Sequence, residues 1–459
     1  MKTIFYTMIL LLVLGGEKAQ AQLNFSTRVV KDSLFIPWEI IYGPDNHIWF
    51  TQKNGYICRL DPTTGHTDTL YHEANTYIMG SGEGGMLGMA LDPNFNTTPY
   101  VYVTYEYLQS GTSNYRERVV RYTYGANALS NPQILIDNIT GANFHNGGRI
   151  LIVGDKLFIS TGDATVGSNA QDIQSLNGKI LRINLDGTIP ADNPIPGSPV
   201  WDWGHRNAEG LVYANGKLYS SEHGPDTDDE INILVSGRNY GWPTVAGFCD
   251  LPAEQTFCTD SNVVEPLYAW TPTIATCGLD YYDHPMFPSL QGSLLLATLK
   301  DMHLYQLVLN AAKDSIISAQ VLSGISFGRL RDICISPSGS IFISTSNSDA
   351  SGTGAKVDRI IEIYDASSTV VNILNEAGIV TLYPNPVKDD MNLWFGAGTL
   401  NKEWHYHITN TQGQVLKEGK LLPQSANQQI FTSNLPSGVY FFSLWNNRKA
   451  FSVQRFVKF

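Results

Sequence analysis

Between positions 221 and 232 the chain reads SEHGPDTDDEIN, with one histidine, a Gly-Pro pair and, beyond that pair, four carboxylates (Asp226, Asp228, Asp229, Glu230). A turn this rich in oxygen either sits in solvent or holds a hard cation. Proline fixes its own φ and so helps aim the neighbouring carbonyls. Four further stretches carry paired polar groups: FHNGGRI (144–150), GHRNAEG (204–210), TLKDM (298–302) and FGRLRD (327–332). They contribute His145, a candidate proton acceptor, and four cations, Arg206, Lys300, Arg329 and Arg331. Taken singly, each arginine reads as a surface ion pair and His145 as a structural histidine. Gathered at one place in a partly dry funnel, four cations require an anionic partner. Arg329 and Arg331, two apart on a strand, share a face and offer two planar forks to carboxylates.

The elements able to gather them are repeats. An apolar run, a turn with Gly or Asp/Asn, and further alternating runs recur six times. The phrases are IIYGPDNHIWFTQ–GYICRLD, MALDPNFNTTPYVYVTYEY–RVVRYTY, ILIVGDKLFISTGD–KILRINLDG, GLVYANGKLYSSEHG–EINILVSG, GLDYYD…QGSLLLATL–LYQLVLN and DICISPSGSIFISTS–RIIEIYD. Period-2 runs bounded by turn formers predict strands, and no helical period interrupts them. One such sheet cannot bury both faces alone, whereas units stacked in a ring bury them against each other. The expected fold is all-β, a six-bladed β-propeller over residues 22–365 followed by a small C-terminal β-sandwich. Residues 366–378 read as a linker and residues 379–459 as the β-sandwich domain. In it, His405 and His407 alternate onto one strand face and read as surface residues.

The bulk properties agree. Of 459 residues, 43% are apolar and only 16% charged, and Gly (41), Tyr (23) and Phe (19) suit a turn-rich β protein. A net charge of −12 argues against a nucleic-acid partner. Residues 1–21 read as a signal peptide: Lys2, the apolar run Ile4–Leu14, and Ala19-Gln20-Ala21 as a cleavage site. That run is short for a bilayer and no other stretch suits a membrane span. The expectation is an exported protein without a membrane anchor. Among five cysteines, Cys249 and Cys258 close a short loop and form the best disulfide pair, and Cys334 reads as a buried strand residue. Two motifs fail on context. GSGEGG (80–85) and GISFG (324–328) each need strand-turn-helix, and β runs follow both.

Taken in order, FHNGGRI…ISTGD, GHRNAEGL, SEHGPDTDDEINIL…NYGWP, WTPTIA, LLLATLK and FGRLRD resemble the soluble quinoprotein glucose dehydrogenases and their aldose sugar (glucose/sorbosone) dehydrogenase relatives. The likeness covers about residues 30–365. It implies a six-bladed propeller that binds pyrroloquinoline quinone and calcium and oxidises the anomeric hydroxyl of an aldose to a lactone, electrons passing to an external acceptor. By this resemblance His145 is the general base, and Arg206 and Asn207 contact the quinone. Lys300, Arg329 and Arg331 grip its carboxylates, and Thr273 makes a weaker contact. Gly224 and Pro225 offer carbonyls to the catalytic calcium, while Glu230 and the Tyr240 carbonyl resemble contributors to a structural calcium. Asp226 and Asp228 then read as solvated. The chain departs from the glucose dehydrogenases at Phe144, where an acid precedes the histidine, and at Glu83 and His223, where glutamines stand. Glu83 and His145 are the expected sugar contacts. On this reading Arg331→Ala weakens cofactor binding more than folding. The tail, with YPNP (383–386), NTQGQVL and LPSGVYFF, resembles C-terminal sorting domains of the type IX secretion route. That implies export through the periplasm to the medium or cell surface. Two rivals predict other outcomes. A non-catalytic propeller binding extracellular glycans or proteins needs no His145, and a calcium-dependent lactonase-type hydrolase needs no paired arginines. The sugar, the acceptor and the oligomeric state are not legible.

Overall fold

The computed structural model describes residues 25–78, 82–351 and 356–365, and in the C-terminal part 380–395, 403–411, 413–421, 427–446 and 449–459. The expected signal peptide and linker lie outside these residues. The chain divides into two compact units, Met1–Ala366 and Ser367–Phe459.

The first unit contains six four-stranded antiparallel sheets. Their innermost strands are Pro37–Tyr42, Met86–Leu91, Gly147–Val153, Ala208–Ala214, Thr276–Tyr282 and Leu330–Ile335. Each packs on the next, and the sixth packs on the first, so the ring is closed. This is the six-bladed propeller. The sixth blade takes its outer strand, Ser26–Leu34, from the start of the described chain, paired antiparallel with Asp358–Tyr364. That pairing closes the ring and covers an edge that would otherwise be exposed.

The repeated phrase corresponds to the first three strands of a blade. Its turns hold the residues that tight hairpins demand: Asn215 and Gly216 both have positive φ (53° and 77°), as a type I′ turn requires. Faces bury against neighbours as the patterning requires. Tyr102, Val119 and Ile139 of blade two pack with Ile159, Leu181 and Ile183 of blade three. The expected Cys249–Cys258 disulfide is formed, and one element departs from expectation: within its loop, residues Pro252–Ser261 are an α-helix. The segment lacks an apolar stripe, which hid it. Pro252 opens the helix, and Glu254 accepts a hydrogen bond from the Leu251 N–H at 3.0 Å. Cys58, Cys277 and Cys334 are buried thiols.

The second unit packs a three-stranded sheet (Val380–Tyr383, Asp390–Phe395, Asn427–Phe431) and a four-stranded one (Trp404–Asn410, Val415–Leu421, Gly438–Asn446, Lys449–Lys458) around a shared core. Met391, Leu393, Ile408, Phe442 and Phe456 fill it. His405 and His407 lie on the outer face beside Glu403 and Glu418.

On the propeller axis, Arg149 bridges Glu39 (2.7 Å) and Asp332 (3.1 Å), its guanidinium 4.2 Å from the Trp38 ring centroid. These residues border a cavity of about 470 Å³ lined by all six inner strands. A second buried carboxyl pair lies in blade two, where Glu106 and Glu117 face each other in strand register. Both are essentially inaccessible, and three of their four oxygens lack a hydrogen-bond partner among the described residues. Burial pushes Glu106 up to about 8, against the Ala142 N–H and Lys53, and pushes Glu117 well above the carboxylate range.

A carboxyl whose folded pKa is raised binds more protons folded than unfolded. Its contribution is therefore fully present below the unfolded value near 4.3 and is lost as pH rises toward 8. Glu106→Gln should raise the melting temperature at pH 8 and flatten its decline between pH 5 and 8, as scanning calorimetry would show. A variant that follows the wild-type pH profile would contradict the assignment.

Candidate active site

His145 sits in the loop leading into the inner strand of blade three, with φ 62°. Three contacts hold that loop. The His145 N–H donates to Glu83 Oε2 at 2.7 Å, the Gly147 N–H donates to Asn207 Oδ1 at 2.9 Å, and Gly162 allows a close backbone approach. A Cβ on Gly162 would lie 1.9 Å from the His145 carbonyl oxygen, so only glycine fits. The ring is oriented separately. Its Nδ1 lies 2.8 Å from Asp163 Oδ1, while Asp163 Oδ2 accepts from Trp242 Nε1 at 2.8 Å. A carboxylate accepts only, so Nδ1 carries the proton and Nε2 presents a lone pair. Asp163, in the ISTGD stretch, carried no sequence signal of this role beyond ending a strand.

Arg206 lies in the loop before the inner strand of blade four. Its backbone N–H donates to Glu222, and Nη1 donates to the His223 carbonyl at 3.2 Å. Its guanidinium is 5.4 Å from the Trp242 ring centroid, and Nε is buried without a partner among the described residues. Burial lowers its pKa, with Asp163, Glu222 and Glu83 opposing. Behind it His205 bridges Glu222 (2.8 Å) and Asp202 (2.9 Å). Burial opposes its charge, but the two carboxylates outweigh it and lift the imidazole to about 10. Asn207 is fully buried, donating Nδ2 to Glu209 Oε1 at 3.1 Å, so it positions the His145 loop.

The remaining cations differ in their freedom. Lys300 is exposed, its Nζ donating to Thr273 Oγ1 at 2.8 Å. Arg329 is half-buried, with Nη1 donating to the Leu299 carbonyl at 3.3 Å and Nε unpartnered among the described residues. Burial and neighbouring Arg331 lower its pKa. Arg331 is 3% exposed and paired with Glu209 and Asp349, both at 2.9 Å. Burial disfavours its charge, but Cys277, Glu209 and Asp349 outweigh it and the pKa rises. Asp349, buried yet facing Arg331 and Lys53, is held down to about 2. The ion pairs that neutralise Arg331 are internal, so it serves the fold beside the cofactor contact that the resemblance implies.

Gly224, Pro225, Glu230 and Tyr240 line one small cleft with Arg206, Glu222 and Trp242. Burial and Glu222 push Glu230 up to about 8, against hydrogen bonds from Asn232 and the Gly247 N–H and the charge of His205. Asp229, in the sequence only one of the acidic run and without a role of its own, ties the cleft together. One of its oxygens accepts the Gly224 N–H at 2.9 Å, and the other accepts the Ile274 (2.7 Å) and Ala275 (2.6 Å) N–H groups beside Thr273. Asp228 accepts the Thr271 hydroxyl at 2.9 Å. Phe144 is exposed next to His145.

Comparison with known proteins gives the same picture. Residues 34–355 match the glucose/sorbosone dehydrogenase family, and residues 381–458 match the secretion system C-terminal sorting domain. A quinoprotein glucose dehydrogenase B of Acinetobacter calcoaceticus is 35% identical over 264 residues, 51% of this chain and 55% of that protein. An aldose sugar dehydrogenase of Escherichia coli is 27% identical over 369 residues, 75% of this chain and 96% of that one. The pyrroloquinoline-quinone-bound structure of an aldose sugar dehydrogenase from Streptomyces coelicolor superposes with a TM-score of 0.63 at 31% identity, covering 74% of this chain and 98% of that one.

Removing one partner of a buried ion pair leaves an uncompensated charge and costs about 3–5 kcal/mol. Arg331→Ala should therefore lower the melting temperature of the ligand-free protein by several degrees, whereas Arg329→Ala should leave it nearly unchanged. Equal melting temperatures for the two variants would overturn this division.

Proposed function

The chain belongs to the glucose/sorbosone dehydrogenase family, and from that premise we propose that it is an exported, calcium-dependent quinoprotein that oxidises aldoses at the anomeric hydroxyl to lactones. One observation carries the reading: Asp163 orients the His145 ring through Nδ1, while Arg206 and Arg329 each keep a buried Nε with no partner among the described residues. The residues fit the cofactor. Buried orphan guanidinium N–H groups suit an anion with several carboxylates, and Lys300 with Thr273 adds a movable cation at the rim. The Gly224-Pro225 turn borders a cleft that also holds the carboxylates of Glu222 and Glu230, and backbone carbonyls with carboxylate oxygens suit a hard cation.

When bound, pyrroloquinoline quinone supplies the two-electron acceptor and calcium the Lewis acid. The protein supplies the rest. His145 Nε2 accepts the proton of the sugar hydroxyl, and Asp163 fixes the tautomer that makes this possible and steadies the imidazolium. Trp242 holds Asp163 in place. Arg206 offsets negative charge that develops in front of it. Glu83, which fixes the His145 backbone, stands where the sugar would enter. Phe144, exposed beside His145, replaces the acid of the glucose dehydrogenases, so the sugar need not be glucose. Electrons pass to an external acceptor. The tail, through its likeness to sorting domains, addresses the protein to the type IX secretion route, which ends in the medium or at the cell surface.

The test adds quinone and calcium to the purified protein and follows dye reduction with a panel of aldoses. Turnover is expected with at least one aldose. His145→Ala should lower kcat by about 10²–10⁴-fold. Asp163→Asn should lower kcat with little change in quinone affinity. Absence of both quinone uptake and dye reduction would remove the proposal.

A further inference from the structure

Two of the three departures from the glucose dehydrogenases, Glu83 and His223, meet in space. Each replaces a neutral glutamine with a group able to bind a metal. With Glu209 they form a cluster whose ligand atoms all lie within 4.8 Å of one another. Each comes from a different part of the chain, and each is held from behind. Glu83 Oε2 accepts the His145 N–H at 2.7 Å, and the Glu83 N–H donates to the Asn143 carbonyl at 2.8 Å. Glu209 is buried, its oxygens accepting from Asn207 Nδ2 (3.1 Å) and Arg331 Nη1 (2.9 Å). His223 is tethered through its backbone, its N–H donating to the Asn207 carbonyl at 3.0 Å and its carbonyl accepting from Arg206.

The side-chain accounting is incomplete in one direction. His223 Nε2 is buried and has no hydrogen-bond partner among the described residues. Glu83 makes no ion pair among them, although three arginines sense its charge. A carboxylate oxygen has lone pairs for more than one partner, so the bonds from His145, Asn207 and Arg331 leave capacity on both glutamates. Arg331 balances Glu209 but is shared with Asp349.

We infer that Glu83, Glu209 and His223 form a binding site for one divalent transition cation of the zinc class, distinct in ligand chemistry from the carbonyl-lined Gly224-Pro225 turn. Two carboxylate oxygens and one imidazole nitrogen are a borderline donor set, which suits zinc, cobalt or manganese. Calcium takes oxygen ligands and has no use for the ring nitrogen. Three protein ligands leave at least one coordination position open on a four-coordinate ion. The cation would complete the valence of His223 Nε2 and neutralise Glu83, leaving Arg206 and Arg329 free for an anion. The site does not require the quinone.

The test uses the metal alone. The full chain, stripped with chelator and free of quinone, is held in millimolar calcium to fill hard-oxygen sites and titrated with Co²⁺. The visible absorption reports coordination, and Zn²⁺ serves as competitor. One equivalent of calcium-resistant Co²⁺ binding, displaced by Zn²⁺, is expected. His223→Gln and Glu83→Gln should each weaken it at least tenfold. Both substitutions are nearly isosteric, and melting curves establish that the variants are folded. The double variant H405Q/H407Q, which removes the exposed histidine pair of the tail, should bind as wild type does. No calcium-resistant binding, wild-type affinity in either site variant, or loss in the tail variant would each overturn the site. Quinone uptake, measured separately, reports on the proposed oxidation and is unaffected by a failure here.

Discussion

Charge balance at the centre of the ring governs the rest of this structure. Six inner strands bring ionisable side chains from across the chain into a dry axis, where an isolated charge is very costly. Arg149 answers Glu39 and Asp332, and Arg331 answers Glu209 and Asp349. His205 takes up charge between Asp202 and Glu222. The two arginines tie blades across the ring, blade three to blades one and six and blade six to blade four. What they leave over is the functional residue: Arg206 and Arg329 with orphan N–H groups, Lys300 on a hydroxyl, and His223 with an idle ring nitrogen.

The same economy positions the chemistry. The proposed base, His145, is held not by one contact but by a chain running from Trp242 through Asp163, with its backbone pinned by Glu83 and the next turn by Asn207. Those groups come from blades two, three and four. Local opening of the ring would therefore disturb the site before it exposed much core. The strand Ser26–Leu34 that closes blade six thus bears on a site it does not touch.

Much of this was legible in the sequence, and the limit has a physical origin. Period-2 runs and their turn residues disclose blades, because alternation and φ requirements are local. His145, Arg206, Lys300 and Gly224-Pro225 stand out because their types are rare beside such turns. Pairings across the ring leave no local trace. Nothing near Arg331 announces Glu209 or Asp349, and nothing near Gly224 announces that Asp229 binds it to the Ile274–Ala275 backbone. The helix Pro252–Ser261 escaped because it is held by a disulfide and an N-terminal carboxylate rather than by an apolar face.

The account stands or falls on whether the under-satisfied arginines receive an anionic ligand. Calorimetric titration of pyrroloquinoline quinone into calcium-loaded wild-type and Arg329→Ala protein decides it. The account predicts at least tenfold weaker binding by the variant, roughly 1.4 kcal/mol or more. Wild-type affinity in the variant would contradict it.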